Sequence, residues 1–229
     1  ILKPHKTTSN YRLHCYTQQV HFLDEYLPVL ENLHLRILDQ VQFTIFAKQT
    51  TYFIRSFTIQ TANNHSSPLR LVSKPLLKTI DDILTGHCEN DALNKLLVLT
   101  GMAWQEIDVL RAYRNYFLQL DHNTTRASVH HALISNPSVT VNLFKYFEAR
   151  FRPNPAWIDP VIREEQALYP LRLNLLESLS SVTNINNDRI LRTFFNLIDA
   201  TMRCNYHYRL TLDNYFIAFK INSLGVIHM

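Results

Sequence analysis

Residues 104–153 read WQEIDVLRAYRNYFLQLDHNTTRASVHHALISNPSVTVNLFKYFEARFRP, and their pattern decides the architecture of most of the chain. Ile107, Leu110, Tyr113, Phe117 and Leu120 recur at helical spacing and form one face, with Arg111, Arg114 and Asn115 between them. The Asn136–Pro137 pair ends a second helix and opens a third. The residue before a proline is pushed out of the helical region, while proline itself suits a first helical turn. That third helix turns Leu143, Phe144, Phe147 and Phe151 inward. The pattern predicts three packed helices and carries no chemistry of its own.

Composition supports a helical reading of the rest. The chain has 229 residues, 46% of them hydrophobic, which is ample for a core. Its only glycines are Gly86, Gly101 and Gly225. So few argue against a glycine-rich phosphate loop and against the tight turns of a nucleotide-binding sheet. The formal charge is +4, but the basic and acidic residues are interspersed and form no run. That describes a solvated mixed surface rather than a nucleic-acid face. Cys15, Cys88 and Cys204 are far apart and make no CxxC pair, which suits reduced thiols and a cytoplasmic location. No run approaches the ~20 apolar residues of a membrane span, so no membrane partner is expected. The first residues, ILKPHKTTSN, lack a signal peptide's apolar core and an initiator Met, as in a chain cut from something longer.

Before the helices, residues 1–10 read as loose. Tyr11–Thr17 alternates as a strand, and Leu23, Tyr26, Leu27 and Leu30 follow at helical spacing. Pro28 places that helix start close to Asp24. Leu35–Phe46 and Thr51–Ile59 read as two strands joined by the turn Lys48–Thr50. Strand–helix–strand–hairpin is most of a ferredoxin-like unit. Residues 61–68, TANNHSSP, read as a loop and a domain boundary. Ser73 then caps a helix whose apolar face is Leu77, Ile80, Ile83 and Leu84 and which Gly86 ends. Asn90 opens another that Gly101 ends. Asp159–Pro160 starts a helix that Pro170 must kink or split. Residues 184–187 read as a turn, and Asp188–Asn205 as a helix burying Ile190, Leu191, Phe194, Leu197 and Ile198. Tyr215–Ile221 alternates as a last strand, so no strand is expected between Ser73 and Arg203.

The wording of these segments resembles the large NAD-specific glutamate dehydrogenases of bacteria. "VLRAYRNYF…LFKYFEARFRP" resembles the segment before their catalytic region. Asn187-Asp188-Arg189-Ile190-Leu191-Arg192 is similar to the family's E-D-R-I-L-R, and Met202-Arg203-Cys204-Asn205-Tyr206 to its L-R-T-N-Y. Phe216-Ile217-Ala218-Phe219-Lys220-Ile221 is similar to its L-S-F-K-L. "LPVLENLHLRILDQ", residues 27–40, resembles the family's ACT-like segment. The resemblance implies an α+β chain in three parts. Residues 1–70 form an ACT-like sheet module, 71–212 a mainly helical domain, and 213–229 a terminal strand leading toward a catalytic region that lies outside the chain. It implies an intact enzyme, a homo-oligomer, that converts glutamate to 2-oxoglutarate and ammonia with NAD. This segment would then be non-catalytic and inactive by itself, bind no cofactor, and have its own catalytic domain and sister subunits as partners. The loop Thr17-Gln18-Gln19 lacks the glycine that often shapes an ACT effector pocket, so a structural module is expected rather than a sensor.

No residue is assigned a catalytic, cofactor-binding or metal-binding role. His130–His131 are adjacent and diverge on a helix, and His87–Cys88 has no partner at ligand spacing, so surface or capping histidines are expected. Asp81–Asp82 and Glu164–Glu165 are neighbours that do not converge, and read as solvated helix faces. Arg111, Tyr113, Tyr116, Glu148 and Arg150 have two readings. They brace the neighbouring catalytic domain, or Glu148 pairs locally and the tyrosines complete the bundle; the second is favoured. A free-standing helical adaptor for a protein or nucleic acid is the alternative for the whole chain, and it would need an apolar groove or basic stripe that the sequence does not display.

Overall fold

The computed structural model describes residues 1–4, 10–47, 49–62, 69–209 and 216–227, and these divide into two units, residues 1–104 and 105–229. The fold class is α+β, as expected.

In the first unit, Leu2–Pro4 (β1) pairs antiparallel with Tyr11–Thr17 (β2), so part of the segment read as loose is an edge strand. Its three residues are too few for alternation to show. Leu23–Asn32 (α1) follows, then Leu35–Ala47 (β3) and Thr50–Thr61 (β4). Pro28 sits well inside α1, and the start at Leu23 agrees with the expectation. The sheet order is β1-β2-β4-β3, with every neighbour antiparallel. β4 thus inserts between β2 and β3, the split crossover of a ferredoxin-like unit. β1 completes the four strands from the N-terminal side. A bulge at Leu38 breaks the β3–β4 register. The expected turn residue Lys48 and the loop residues 63–68 lie outside the described residues.

The sheet buries Leu13, Phe57 and Ile59 on the side of Tyr26, Val29 and Leu30 of α1. Ser73–Leu84 (α2) begins at Ser73 as a helical residue, not as the cap: its hydroxyl donates to the Arg70 carbonyl, and Val72 holds the cap position. The buried face is Leu76, Thr79, Ile80 and Asp82, rotated from the expected Leu77–Leu84 face, which is only partly covered. Gly86, at φ +78, terminates this turn. A short turn capped by Asp91 leads into Lys95–Thr100 (α3), which Gly101 ends at φ +81. These left-handed positions favour glycine because at positive φ a Cβ crowds its own backbone, although the space around both glycines is open. α2 and α3 therefore fall in the same unit as the sheet, whereas the sequence boundary at residue 70 separates them.

The second unit holds most of Trp104–Leu120 (α4), then Arg126–Ser135 (α5) and Pro137–Phe151 (α6), with Pro137 in the first turn as read. Leu120, at the last turn of α4, is exposed rather than inward. The Asp159 carboxylate accepts from the Val161 and Ile162 amides and opens Pro160–Arg163 (α7). A π-turn over Glu164–Leu168 joins it to Tyr169–Ser180 (α8), with the Tyr169 amide bonded to the Glu164 carbonyl. That widened turn precedes Pro170, a common way for a helix to absorb an irregularity.

Ile185–Ala200 (α9) starts earlier than expected because Asn184 caps it, accepting from the Asn187 amide; residues 185–187 are its first turn, not a loop. It also ends earlier. Thr201–Cys204 (β5) is a strand, and after Tyr206–Arg209 (α10) it pairs antiparallel with Phe219–Ile221 (β6). The expected helix to Asn205 and the absence of strands before Arg203 are both corrected. Thr201 and Cys204 are partnered only once the chain returns, a pairing that no local pattern encodes. The last strand finds its neighbour in β5, inside its own unit. Tyr215 lies outside the described residues.

Candidate functional site

Two places carry the polar architecture that an active or regulatory site would need. The first is the β2–α1 edge of the sheet unit. Arg55 projects there from β4, and its guanidinium donates to the His21 carbonyl at 3.0 Å and to Gln42 Oε1 at 2.7 Å. It also lies over the Tyr26 ring at 5.5 Å, a cation–π contact. The cavity left among Thr17, His21, Tyr26 and Arg55 is about 10 Å³, no more than one water needs. A wider cleft of about 250 Å³ opens between β2 and α2, floored by Leu13, Cys15, Leu77 and Ile80. Cys15 is no nucleophile there, because burial pushes its thiol up to about 11.

The second place is the joint at which α4 and α6 meet the end of α9 and the β5–β6 pair. Tyr113 donates to Thr201 Oγ1 at 2.9 Å, and that hydroxyl donates onward to the Leu197 carbonyl at 2.7 Å. The Tyr113 ring stacks on Phe219 of β6, with centroids 4.3 Å apart. Arg150 of α6 donates through Nη2 to the Asp199 carbonyl at 2.8 Å and through Nε to the Thr201 carbonyl at 3.2 Å. Tyr146 donates to Asp199 Oδ1 at 2.6 Å and accepts from Arg172, which also binds Glu164. Burial, reinforced by the Asp199 carboxylate, pushes the Tyr146 hydroxyl up to about 12. Nearby in the same unit, Arg209 of α10 binds Asp108 of α4 at 2.9 Å, and Arg189 of α9 binds Asp121, just past α4, at 2.8 Å.

Buried arginines are what sequence reading missed. Arg111 is 1% exposed and Arg114 0%. Arg114 donates to His130 Nε2 at 2.8 Å and to Asn115 Oδ1. An arginine is always a donor, so Nε2 of His130 is the acceptor and carries no proton. His130 is accordingly buried rather than a surface histidine, while His131 points elsewhere, toward Asn187 and Ser135. The signal was present: Arg114 falls seven residues after Ile107 and three before Phe117, on the apolar stripe itself.

The other candidate groups separate. Glu148 pairs with Arg152 and lies 3.4 Å from His207, the local pairing expected of it. Burial raises the Glu148 carboxyl and lowers the His207 imidazole. Tyr113 is buried in the bundle and bonded to Thr201, Arg150 holds the Asp199 and Thr201 carbonyls, and Tyr116 is half-buried. Asp82 is not on a solvated face: it is buried and accepts from Trp104 Nε1 at 2.6 Å and from Lys78 at 3.2 Å. Asp81 is exposed, Glu164 is held by Arg172, and His87 meets the Thr85 hydroxyl. Among the described residues, no cluster of His, Cys, Asp or Glu is placed to hold a metal, and no helix is long and apolar enough to cross a membrane.

Comparison with known proteins finds two family matches, one on either side of the joint. Residues 88–153 match a family described as glutamate dehydrogenase, helical motif 3, and residues 174–229 match one described as bacterial NAD-glutamate dehydrogenase, catalytic domain. The chain therefore groups with the glutamate dehydrogenases. More narrowly, it is related to the bacterial NAD-specific glutamate dehydrogenases. It is 30% identical over 206 residues to that of Halomonas elongata, covering 89% of this chain and 12% of the relative. The Pseudomonas aeruginosa protein is 28% identical over 81% of this chain and 11% of its own length. The Mycobacterium tuberculosis protein is 26% identical over 80% and 12%. The chain spans about an eighth of the length of these relatives. The catalytic-domain match begins at residue 174, ahead of the strand at which the sequence reading placed the approach to that region. Tyr113, Tyr146 and Arg150, inside the helical-motif match, thus grip Asp199 and Thr201, inside the catalytic-domain match.

Proposed function

We propose that this chain is a non-catalytic bracing segment of an NAD-dependent glutamate dehydrogenase, an enzyme that converts glutamate to 2-oxoglutarate and ammonia. The observation that carries the reading is the joint: two carbonyls at the α9–β5 junction are held by one guanidinium, and the adjoining threonine by a buried tyrosine. A catalytic domain needs its entering strand fixed, because sub-ångström placement of reacting groups sets the rate. Helices α4 and α6 supply that fixed frame. The segment supplies neither a nicotinamide site nor a reacting group, and its partners are the remainder of its own catalytic domain and sister subunits.

In this reading the sheet unit is a structural ACT-like module. Arg55 occupies the edge where an effector would sit, and the cavity beside its guanidinium is too small for an amino acid. Isothermal calorimetry of residues 1–229 with NAD and with glutamate tests the proposal. It expects no heat of binding for either; micromolar affinity for NAD overturns it. In an intact enzyme carrying this segment, Arg150→Ala should lower kcat while leaving the KM values for NAD and glutamate near those of the parent.

A further inference from the structure

Glu148 of α6 and His207 of α10 meet without completing a hydrogen bond. Glu148 Oε2 stands 3.4 Å from His207 Nε2, and both side chains are mostly covered. Nε2 is shut off from solvent and has no hydrogen-bond partner among the described residues. A buried polar atom in that state costs stability until something satisfies it. A proton held on the Glu148 carboxyl does so: its O–H donates to Nε2, and the ring keeps its own hydrogen on Nδ1. The contact also spans the joint, since Glu148 lies in the helical-motif match and His207 in the catalytic-domain match.

The neighbouring charges leave this pair to titrate together. Arg152, one turn beyond Glu148, approaches its other oxygen at 3.5 Å and is 65% exposed. Cys204 of β5 is raised by burial and by the Glu148 charge, and Tyr206 of α10 by burial, Glu106 and Glu148, so both stay neutral. From α4, Asp108 also faces Tyr206 and is bound to Arg209. The His207 ring packs edge-on against Tyr206, with centroids 5.0 Å apart. We propose that Glu148 and His207 share a single proton and form a pH-operated latch between α6 and α10. The latch rests on the bracing role proposed above and adds a control to it.

Burial raises the Glu148 carboxyl above its ordinary 4.5, against the pull of Arg152. Burial, reinforced by Arg152, lowers the His207 imidazole below its ordinary 6.5. A raised Glu148 contributes stability that is full below pH 4.5 and is lost as pH rises through its folded value. A lowered His207 contributes stability that is full above pH 6.5 and is lost as pH falls through its folded value. The pair is therefore most favourable between those limits, where it holds one proton. At pH 8 the carboxylate is ionised, only the exposed Arg152 offsets its charge, and the latch loosens.

Hydrogen exchange of residues 1–229, resolved to peptides covering 201–209 and corrected for intrinsic exchange rates, tests this at pH 5.5 and pH 8. Protection in the parent should be about fivefold higher at pH 5.5, the equivalent of one net hydrogen bond. Glu148→Gln, whose amide donates to Nε2 at any pH, should keep that protection at pH 8. His207→Phe, which keeps a ring but offers no acceptor, should lose most of the gain at pH 5.5, and it serves should Glu148→Gln unfold. Arg152→Gln should move the midpoint to higher pH, because Arg152 lowers both groups. The same pH dependence in the parent and Glu148→Gln, or an unmoved midpoint in Arg152→Gln, overturns the proposal. Arg150→Ala measured alongside separates the two claims: if it loosens β5 at both pH values while Glu148→Gln changes nothing, the brace stands and the latch falls.

Discussion

Replacing Arg150 by alanine removes the guanidinium that holds the α9–β5 junction. The side chain is 25% exposed, so its charge is partly screened. Its two bonds to carbonyl oxygens are charge-assisted, and bonds of that kind contribute roughly 1.5–3 kcal/mol each when desolvated. Water reaching the freed carbonyls recovers part of this, and the ion pair with Asp199 at 3.5 Å adds little at such exposure. A net loss of about 2–3 kcal/mol follows. For a chain of this size each kcal/mol moves the melting temperature by about 2–4 °C, so the second unit should melt about 4–12 °C lower. The two units can melt separately, so calorimetry should be paired with hydrogen exchange resolved to peptides covering β5 and β6. Those peptides should exchange faster, while α2 and the N-terminal sheet stay protected. Arg150→Lys should recover less than half, since an ammonium lacks the planar fork that reaches both carbonyls. A variant that melts within a degree of the parent, with unchanged exchange at β5, refutes the bracing role.

Other outcomes follow from single residues. Trp104→Phe, which keeps most of the ring but leaves the buried Asp82 carboxylate short of a donor, should cost about 1–3 kcal/mol by denaturant titration; Trp104→Ala should cost about 3–5 kcal/mol or more. The Thr124 hydroxyl and Arg189 hold the Asp121 carboxyl at about 2, below its ordinary 3.8. A depressed folded value contributes stability that is full above about pH 4 and is lost as pH falls toward 2, so Asp121→Asn should flatten that part of the acid-stability curve. Cys15, pushed up to about 11, should resist iodoacetamide at pH 8 in the native state and react once denatured, as mass spectrometry of the alkylated chain would show.

The legible parts of this fold are those with a local cause. Gly86 and Gly101 end helices because they take positive φ, and Pro137 and Asp159 start helices through first-turn chemistry that a few residues encode. The hidden parts depend on distant partners. β1 is too short to alternate, and β5 reads as a continuation of α9 until β6 returns to pair with it. The joint was half legible. Arg150 and Tyr113 stood out by family resemblance, yet their targets at 199–201 lie 49 to 88 residues away, and a pattern scan does not join them. Arg111 and Arg114 show the opposite failure. Arginine is taken as a surface residue by default, and only its place on an apolar stripe, with His130 and Asn115 on hand to accept its protons, reverses that default.

The account rests on residues 105–153 and 174–227 sharing one core, in which Ile190, Leu191, Phe194 and Leu197 of α9 are fully buried. Comparing the thermal unfolding of residues 105–229 with that of residues 105–173 by circular dichroism tests this directly. The longer chain should unfold in one cooperative transition, and the shorter one should lose that transition because its helices have no α9 to bury them. A cooperative transition of undiminished midpoint in residues 105–173 would contradict the shared core, and with it the view that these helices exist to hold the start of a catalytic domain.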